Sequence, residues 1–340
     1  MENRIIEKDD LLDKNGMLNH AGWATSLLLD YDRAAIKASK FKIKEWDYYC
    51  ILTQSHGVAF TIADNSYMSL IAVTVFDFVN AREISNSIML PFTMGSLNMP
   101  SSSESGNIIF ENEQLSLKYI RNKASRTIEV DYANFADNQS LTGSIVLQQP
   151  DALESMVIAT PFPKNKLAFY YNQKINCMPA AGELRLGEKT LSFSPDSAFG
   201  VLDWGRGVWT YSNTWYWGSA SGKVNGKAFG FNIGYGFGDT SKASENMLFY
   251  EGKAHKLDQV EFHIPEDDFL KPWTFSSNDS RIEMDFMPIL DRHSNANIVV
   301  VKSEQHQVFG LFSGKVKLDN GDEIIVKDLL GFAEKVYNRW

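Results

Sequence analysis

The sequence predicts an all-β protein made of two antiparallel β-barrel or sandwich units side by side, with few short helices. Aromatic residues are 13% of the 340 residues, a bias that favours strands. Run after run alternates apolar and polar residues, the pattern of antiparallel sheets with one wet face, and long helical periodicity is almost absent. Asn225-Gly226 and Asn320-Gly321 each stand between alternating runs, where Asn-Gly is the strongest short hairpin signal. The chain is also too long for one small core, so two units are expected.

Residues 1–37 read as a lead-in: a charged stretch, then Trp23 and Leu27 to Leu29, suited to covering an open sheet edge or mouth. The first unit, 38–163, opens with FKIKEWDYYCILTQ, VAFTIADN and YMSLIAVTVFDFV, with turns expected at Asp64-Asn65 and Asn80. NIIFENEQLSLKYI, SRTIEVDYANF and LTGSIVLQQP extend it as a β-meander. The stretch TPFPKNKLAFYYNQKINCMPAAG holds three of ten prolines and loses strict alternation, which places the joint near Pro161 to Lys166. The second unit, 164–340, follows with AAGELRLGEKTLSF, SGKVNGKAFGFNIGYGFG and FSGKVKLDNGDEIIVKDLLGFAE, each built around a turn.

Composition excludes several functions. The net charge of −9 comes with scattered Lys and Arg and no basic stripe, so nucleic-acid binding has no electrostatic support. The N-terminal residues are polar where a secretory signal needs an apolar core, and no apolar run has membrane length; the expectation is a soluble cytoplasmic protein. Cys50 and Cys177 are too few for a disulfide framework and read as reduced packing residues. The six His form neither HxH nor HExxH, GYGFG lacks the spacing of a dinucleotide loop, and GSASG lacks the serine of a nucleophile elbow. Neither metal nor cofactor is expected, and oligomeric state is not legible.

One stretch looks selected for a site. FGVLDWGRGVWTYSNTWYWGSASG holds four of the eight Trp around one Asp and one Arg. Burying a charge is costly unless it is paired or used, so Asp203 and Arg206 read either as a structural ion pair or as a proton donor held by a cation. An Asp beside Arg has a lowered pKa, which counts against the donor. Trp209, Tyr211, Trp215 and Trp217 share odd numbering, so an unbroken strand would point all four to one face as a ligand wall or a packed core, joined by Trp204. Asn232 and Tyr235 would stand opposite as polar punctuation. His255 is a candidate for acid-base work because its ordinary pKa lies near neutrality. Glu334 reads as a structural bridge to an Arg such as Arg206, or as a second acid.

Four segments together resemble the bacterial domain-of-unknown-function 2804 family: WDYYCILTQSHGVAFTIADNSYMSL, LDWGRGVWTYSNTWYWGSASG, GKAHKLDQVEF and GFAEKVYNRW. The Asp-Trp-x-Arg-Gly core followed by Trp-x-Trp carries most of the likeness, which spans most of the chain. The family is distantly similar to two-domain lipocalin-like proteins such as carotenoid hydratases and tocopherol cyclase. That resemblance implies two lipocalin-like units and no particular chemistry.

The expected function is binding of a hydrophobic or amphipathic small molecule in an aromatic-lined cavity, mainly in the second unit, with Asp203 reaching it. Two alternatives stand beside it. One is a cofactor-independent hydratase, cyclase or isomerase acting on an isoprenoid- or polyketide-like substrate through acid catalysis by Asp203 or His255. The other is a purely structural Trp cluster at the interface of two β units.

Overall fold

The computed structural model describes residues 2–298 and 301–339; Met1 and the Trp340 that closes the last motif lie outside them. Alternation produces what it predicts: two curled antiparallel half-barrel sheets side by side. Among the described residues helix is confined to two 3-10 turns, Arg33–Ala35 and Lys40–Lys42. No helix there is long and apolar enough to cross a membrane, a statement that does not concern strands.

The first sheet has thirteen strands and runs from the edge strand Arg82–Pro91 through Met68–Asp77, His56–Asp64 and Ile43–Leu52 to Phe199–Val208. It continues through Asn165–Leu186, Gln139–Gln148, Ser125–Ala136 and Leu115–Asn122 to Ile108–Glu111. From the lead-in, Gly22–Ala24 pairs with Met156–Phe162, which pairs with Asn165–Leu186. The second sheet has nine strands, centred on Ser212–Val224, Glu323–Arg339 and Val301–Lys317. Asn225 and Gly226, both at positive φ, close the two-residue hairpin between Ser212–Val224 and Lys227–Tyr235.

The change of sheet lies at residues 209–211, after Phe199–Val208, and not near Pro161 to Lys166. Pro161 and Pro163 punctuate a tight hairpin in which Phe162 pairs with Asn165, so the lost alternation marks a turn inside the first sheet. Each half-barrel has its own apolar core, and a third cluster lies between them. There Phe76 meets Phe309 at 4.3 Å and Trp217 meets Phe332 at 4.7 Å.

Polar bonds add to this seam. Asn165–Leu186 bulges between Ile175 and Met178, with Cys177 at a φ of 60°. The bulge aims Asn176 at the second sheet, where its Nδ2 donates to Ser219 Oγ at 2.8 Å and Phe231 O at 3.1 Å. Cys177 N donates to Ser221 Oγ at 3.0 Å.

Candidate functional site

Phe199–Val208 is buried along its whole length and flanked by Ile43–Leu52 and Asn165–Leu186. A strand sends alternate residues to opposite faces, which divides the Asp-Trp-Gly-Arg-Gly core. Trp204 and Arg206 point into the first half-barrel, Asp203 and Gly205 into the seam. Gly205 lies opposite Trp46, and a Cβ there would meet Trp46 Cζ2 at 1.9 Å. Glycine makes room for that indole, so Gly205→Ala is expected to destabilise the fold by about 1–3 kcal/mol through overpacking. Denaturant unfolding checks this; a variant as stable as wild type would show that Trp46 moves aside freely.

Between the half-barrels the seam opens into a cavity of about 240 Å³. Trp46 and Tyr48 line it from Ile43–Leu52, Tyr170 and Lys174 from Asn165–Leu186, Trp215 and Trp217 from Ser212–Val224. Trp209 and Phe237 enter from loops. The rings meet edge to face: Trp46 and Trp209 at 5.2 Å, Trp209 and Trp215 at 5.9 Å, Trp209 and Phe237 at 4.6 Å. Rings locked by such contacts form a stiff apolar wall.

Charged groups converge on the same space. Lys174 pairs with Asp203 in the strand register, and its Nζ lies 2.9 Å from Asp203 Oδ1, 3.8 Å from Glu245 Oε2 and 3.9 Å from the centre of the Trp217 ring. Asn172 Nδ2 donates to Asp203 Oδ1 at 2.7 Å. Glu334 accepts from Trp215 Nε1 at 3.0 Å and from Gln307 Nε2 at 3.1 Å. Burial pushes the Glu334 carboxyl up to about 7; Asp203 nearby adds to the rise, while the indole N–H and Lys174 oppose it. Burial raises Glu245 as well, against the pull of Lys174. The cavity therefore holds a carboxyl that exchanges its proton near neutrality.

The sequence matches the domain of unknown function DUF2804 over residues 2–340. The chain belongs to the DUF2804 family. No protein of curated function matches it by sequence. Among solved structures this DUF2804 protein is similar to CghA, with a TM-score of 0.58 at 12% identity over 97% of both chains. It is also similar to a protein assigned as AttH from Nitrosomonas europaea, with a TM-score of 0.52 at 12% identity over 90% of this chain and 96% of that one. Kievitone hydratase from Nectria haematococca gives a TM-score of 0.52 at 10% identity, over 86% and 88%. At these identities the likeness is one of fold, the two-domain lipocalin-like architecture.

Against the expected site, the DUF2804 chain shows several departures. Asp203 lines the cavity, but its cation is Lys174 rather than Arg206, because residues three apart on a strand face opposite ways. Arg206 bridges neither Asp203 nor Glu334. Its Nη2 lies 3.0 Å from Asp47, and its guanidinium donates to the carbonyls of Trp46, Gly205 and Pro100 and stacks on Trp204. Arg206 thus ties the 93–107 loop into the first half-barrel. Trp204 is buried there too, edge-on to Tyr171 and away from the cavity.

Trp209, Trp215 and Trp217 do line the cavity, although no single strand carries them. Tyr211, in the crossover, is exposed. Asn232 stands one layer behind, accepting from Trp217 Nε1 at 2.6 Å and donating to the Glu245 carbonyl. Tyr235 stacks on Tyr216 on the opposite face. His255 lies at the far edge of the second sheet, 3.2 Å from Asp319, outside the cavity lining. The cavity is shared between the two half-barrels, and most of the residues that line it belong to the 164–340 stretch. Among the described residues no group of three or more His, Cys, Asp or Glu could hold a metal ion.

Proposed function

We propose that the protein binds a compact, largely apolar small molecule between its half-barrels and moves a proton on it, with Glu334 as the acid. The observation that carries this reading is the Glu334 carboxyl, pushed up to about 7 at an aromatic-walled cavity. A general acid works best when its pKa lies near the working pH. Glu334 would give its proton to an alkene carbon; the π pair becomes the C–H bond, and the cation left behind faces Trp rings and carboxylates. Water adding to that cation, with loss of its proton, completes a hydration. Loss of a neighbouring proton to Glu334 completes an isomerisation. A fold relative named as a hydratase supports the reading. The volume of about 240 Å³ lies below the span of roughly 300–1,000 Å³ common for drug-sized ligands, so the ligand is small.

Native mass spectrometry with solvent extraction tests this. Wild type is expected to carry a small molecule that Trp215→Ala loses. After incubation in D2O the recovered compound is expected to hold carbon-bound deuterium with wild type and none with Glu334→Gln. A wild type with no bound mass and no incorporated deuterium would favour a purely structural Trp cluster.

A further inference from the structure

Opposite charges in the cavity do not balance. Lys174 and Asp203 are 2.9 Å apart and largely neutralise one another. Arg292 is shared with Glu83, its Nε 3.6 Å from that carboxylate on the first sheet's edge strand. Glu245 and Glu334 remain, both held toward the neutral form by burial. Glu245 is nine-tenths buried and borders the cavity; Tyr170 bonds its carboxyl and Lys174 forms an ion pair with it at 3.8 Å, but its Oε2 accepts no hydrogen bond. An unsatisfied buried carboxylate oxygen calls for a donor or a cation.

The wall supplies the other half of a cation site. Lys174 Nζ already rests 3.9 Å from the Trp217 ring centre, so this wall accepts an ammonium. Trp46, Trp209 and Trp215 continue it around the void. Aromatic faces together with carboxyls that can ionise attract a weakly hydrated cation; a carboxylate or phosphate on the ligand would gain no charge pairing from either glutamate.

We propose that the cavity takes a small molecule with an alkylammonium head, seated among Trp46, Trp209 and Trp215 and facing Glu245 and Glu334. This rests on the small-molecule reading above and not on its proton-transfer step: a ligand with this head leaves Glu334 ionised at neutral pH, so it occupies the cavity without being protonated by that residue. A cation at this place stabilises the charged form of Glu334, whose carboxyl otherwise keeps its proton up to about 7. The other ionisable groups around it are Asp203, Lys174, Glu245, Arg292 and the phenols of Tyr48 and Tyr170, both held well above their usual range by burial. Binding below neutral pH therefore releases protons, and affinity rises as pH passes through about 7.

Isothermal titration with choline and with 3,3-dimethyl-1-butanol, its neutral isostere, separates charge from shape. Run at about pH 6 and pH 8 in buffers of different ionisation enthalpy, it also counts released protons. Choline is expected to bind about tenfold tighter than the alcohol and to release protons at the lower pH. Glu245→Gln and Glu334→Gln are each expected to weaken choline about fivefold or more and leave the alcohol unchanged, with thermal melts confirming that both fold. Equal or tighter binding of the alcohol would overturn the cationic head and leave the small-molecule cavity standing. Binding of neither probe would overturn this proposal, and an empty wild type by mass spectrometry would then remove the cavity reading too.

Discussion

Arg206→Ala is expected to lower stability by about 3–5 kcal/mol. The guanidinium is fully buried and directs its donors to Asp47 and to the carbonyls of Trp46, Gly205 and Pro100. Removing it leaves Asp47 as a buried charge without its nearest cation, in a site where burial already raises that carboxyl. Arg206→Lys keeps the charge but not the planar fork, so only part of the loss should be recovered. Asp47→Asn combined with Arg206→Met should recover more than Lys does, because both members of the pair then go together. Urea unfolding measures all three, and an Arg206→Ala protein as stable as wild type would refute a structural role for this arginine.

Glu334→Gln is expected to change two observables in opposite directions. The folded carboxyl titrates near 7 against an ordinary value of 4.5, so between those pH values the folded state binds more protons than the unfolded one. Stability then falls as pH rises through this window, by up to about 3 kcal/mol for this group alone. Glutamine has no proton to lose, so the variant should gain on wild type from pH 5 to about 8 and equal or exceed it there. Comparing the two proteins cancels other groups such as Lys44, which burial pulls down to about 7. Any proton transfer should fall by about 10²–10⁴-fold in the same variant. Parallel stability curves for the two proteins would mean that Glu334 titrates as an ordinary carboxyl.

Packing of the first half-barrel and the wall of the cavity are divided across one strand. In Phe199–Val208 the inward side, with Trp204 and Arg206, closes the first half-barrel, while the outward side, with Asp203 and Gly205, shapes the cavity. Only the period of two in a strand separates these roles.

Much of the fold is legible in the sequence because each apolar face repeats every second residue. Arg82–Pro91 escapes that reading: it is an edge strand with polar residues on both sides and little burial. The sheet boundary escapes because Pro161 and Pro163 look like a linker and are a hairpin. For the site, the Trp cluster is visible as composition, whereas the partners of its charges depend on register. Lys174 meets Asp203 only through the pairing of two strands, and Glu245 arrives from a loop with no local pattern. A signal for Lys174 does exist: in LAFYYNQKINC a lysine sits inside a run too apolar for a solvent-facing strand.

The most direct measurement is the protonation state of Glu334 itself, read by infrared difference spectra of wild type against Glu334→Gln across pH. A protonated carboxyl band belonging to this residue should persist above pH 6 and fade with a midpoint near 7. A band lost by about pH 5, as for an exposed glutamate, would contradict the poised acid and the function built on it.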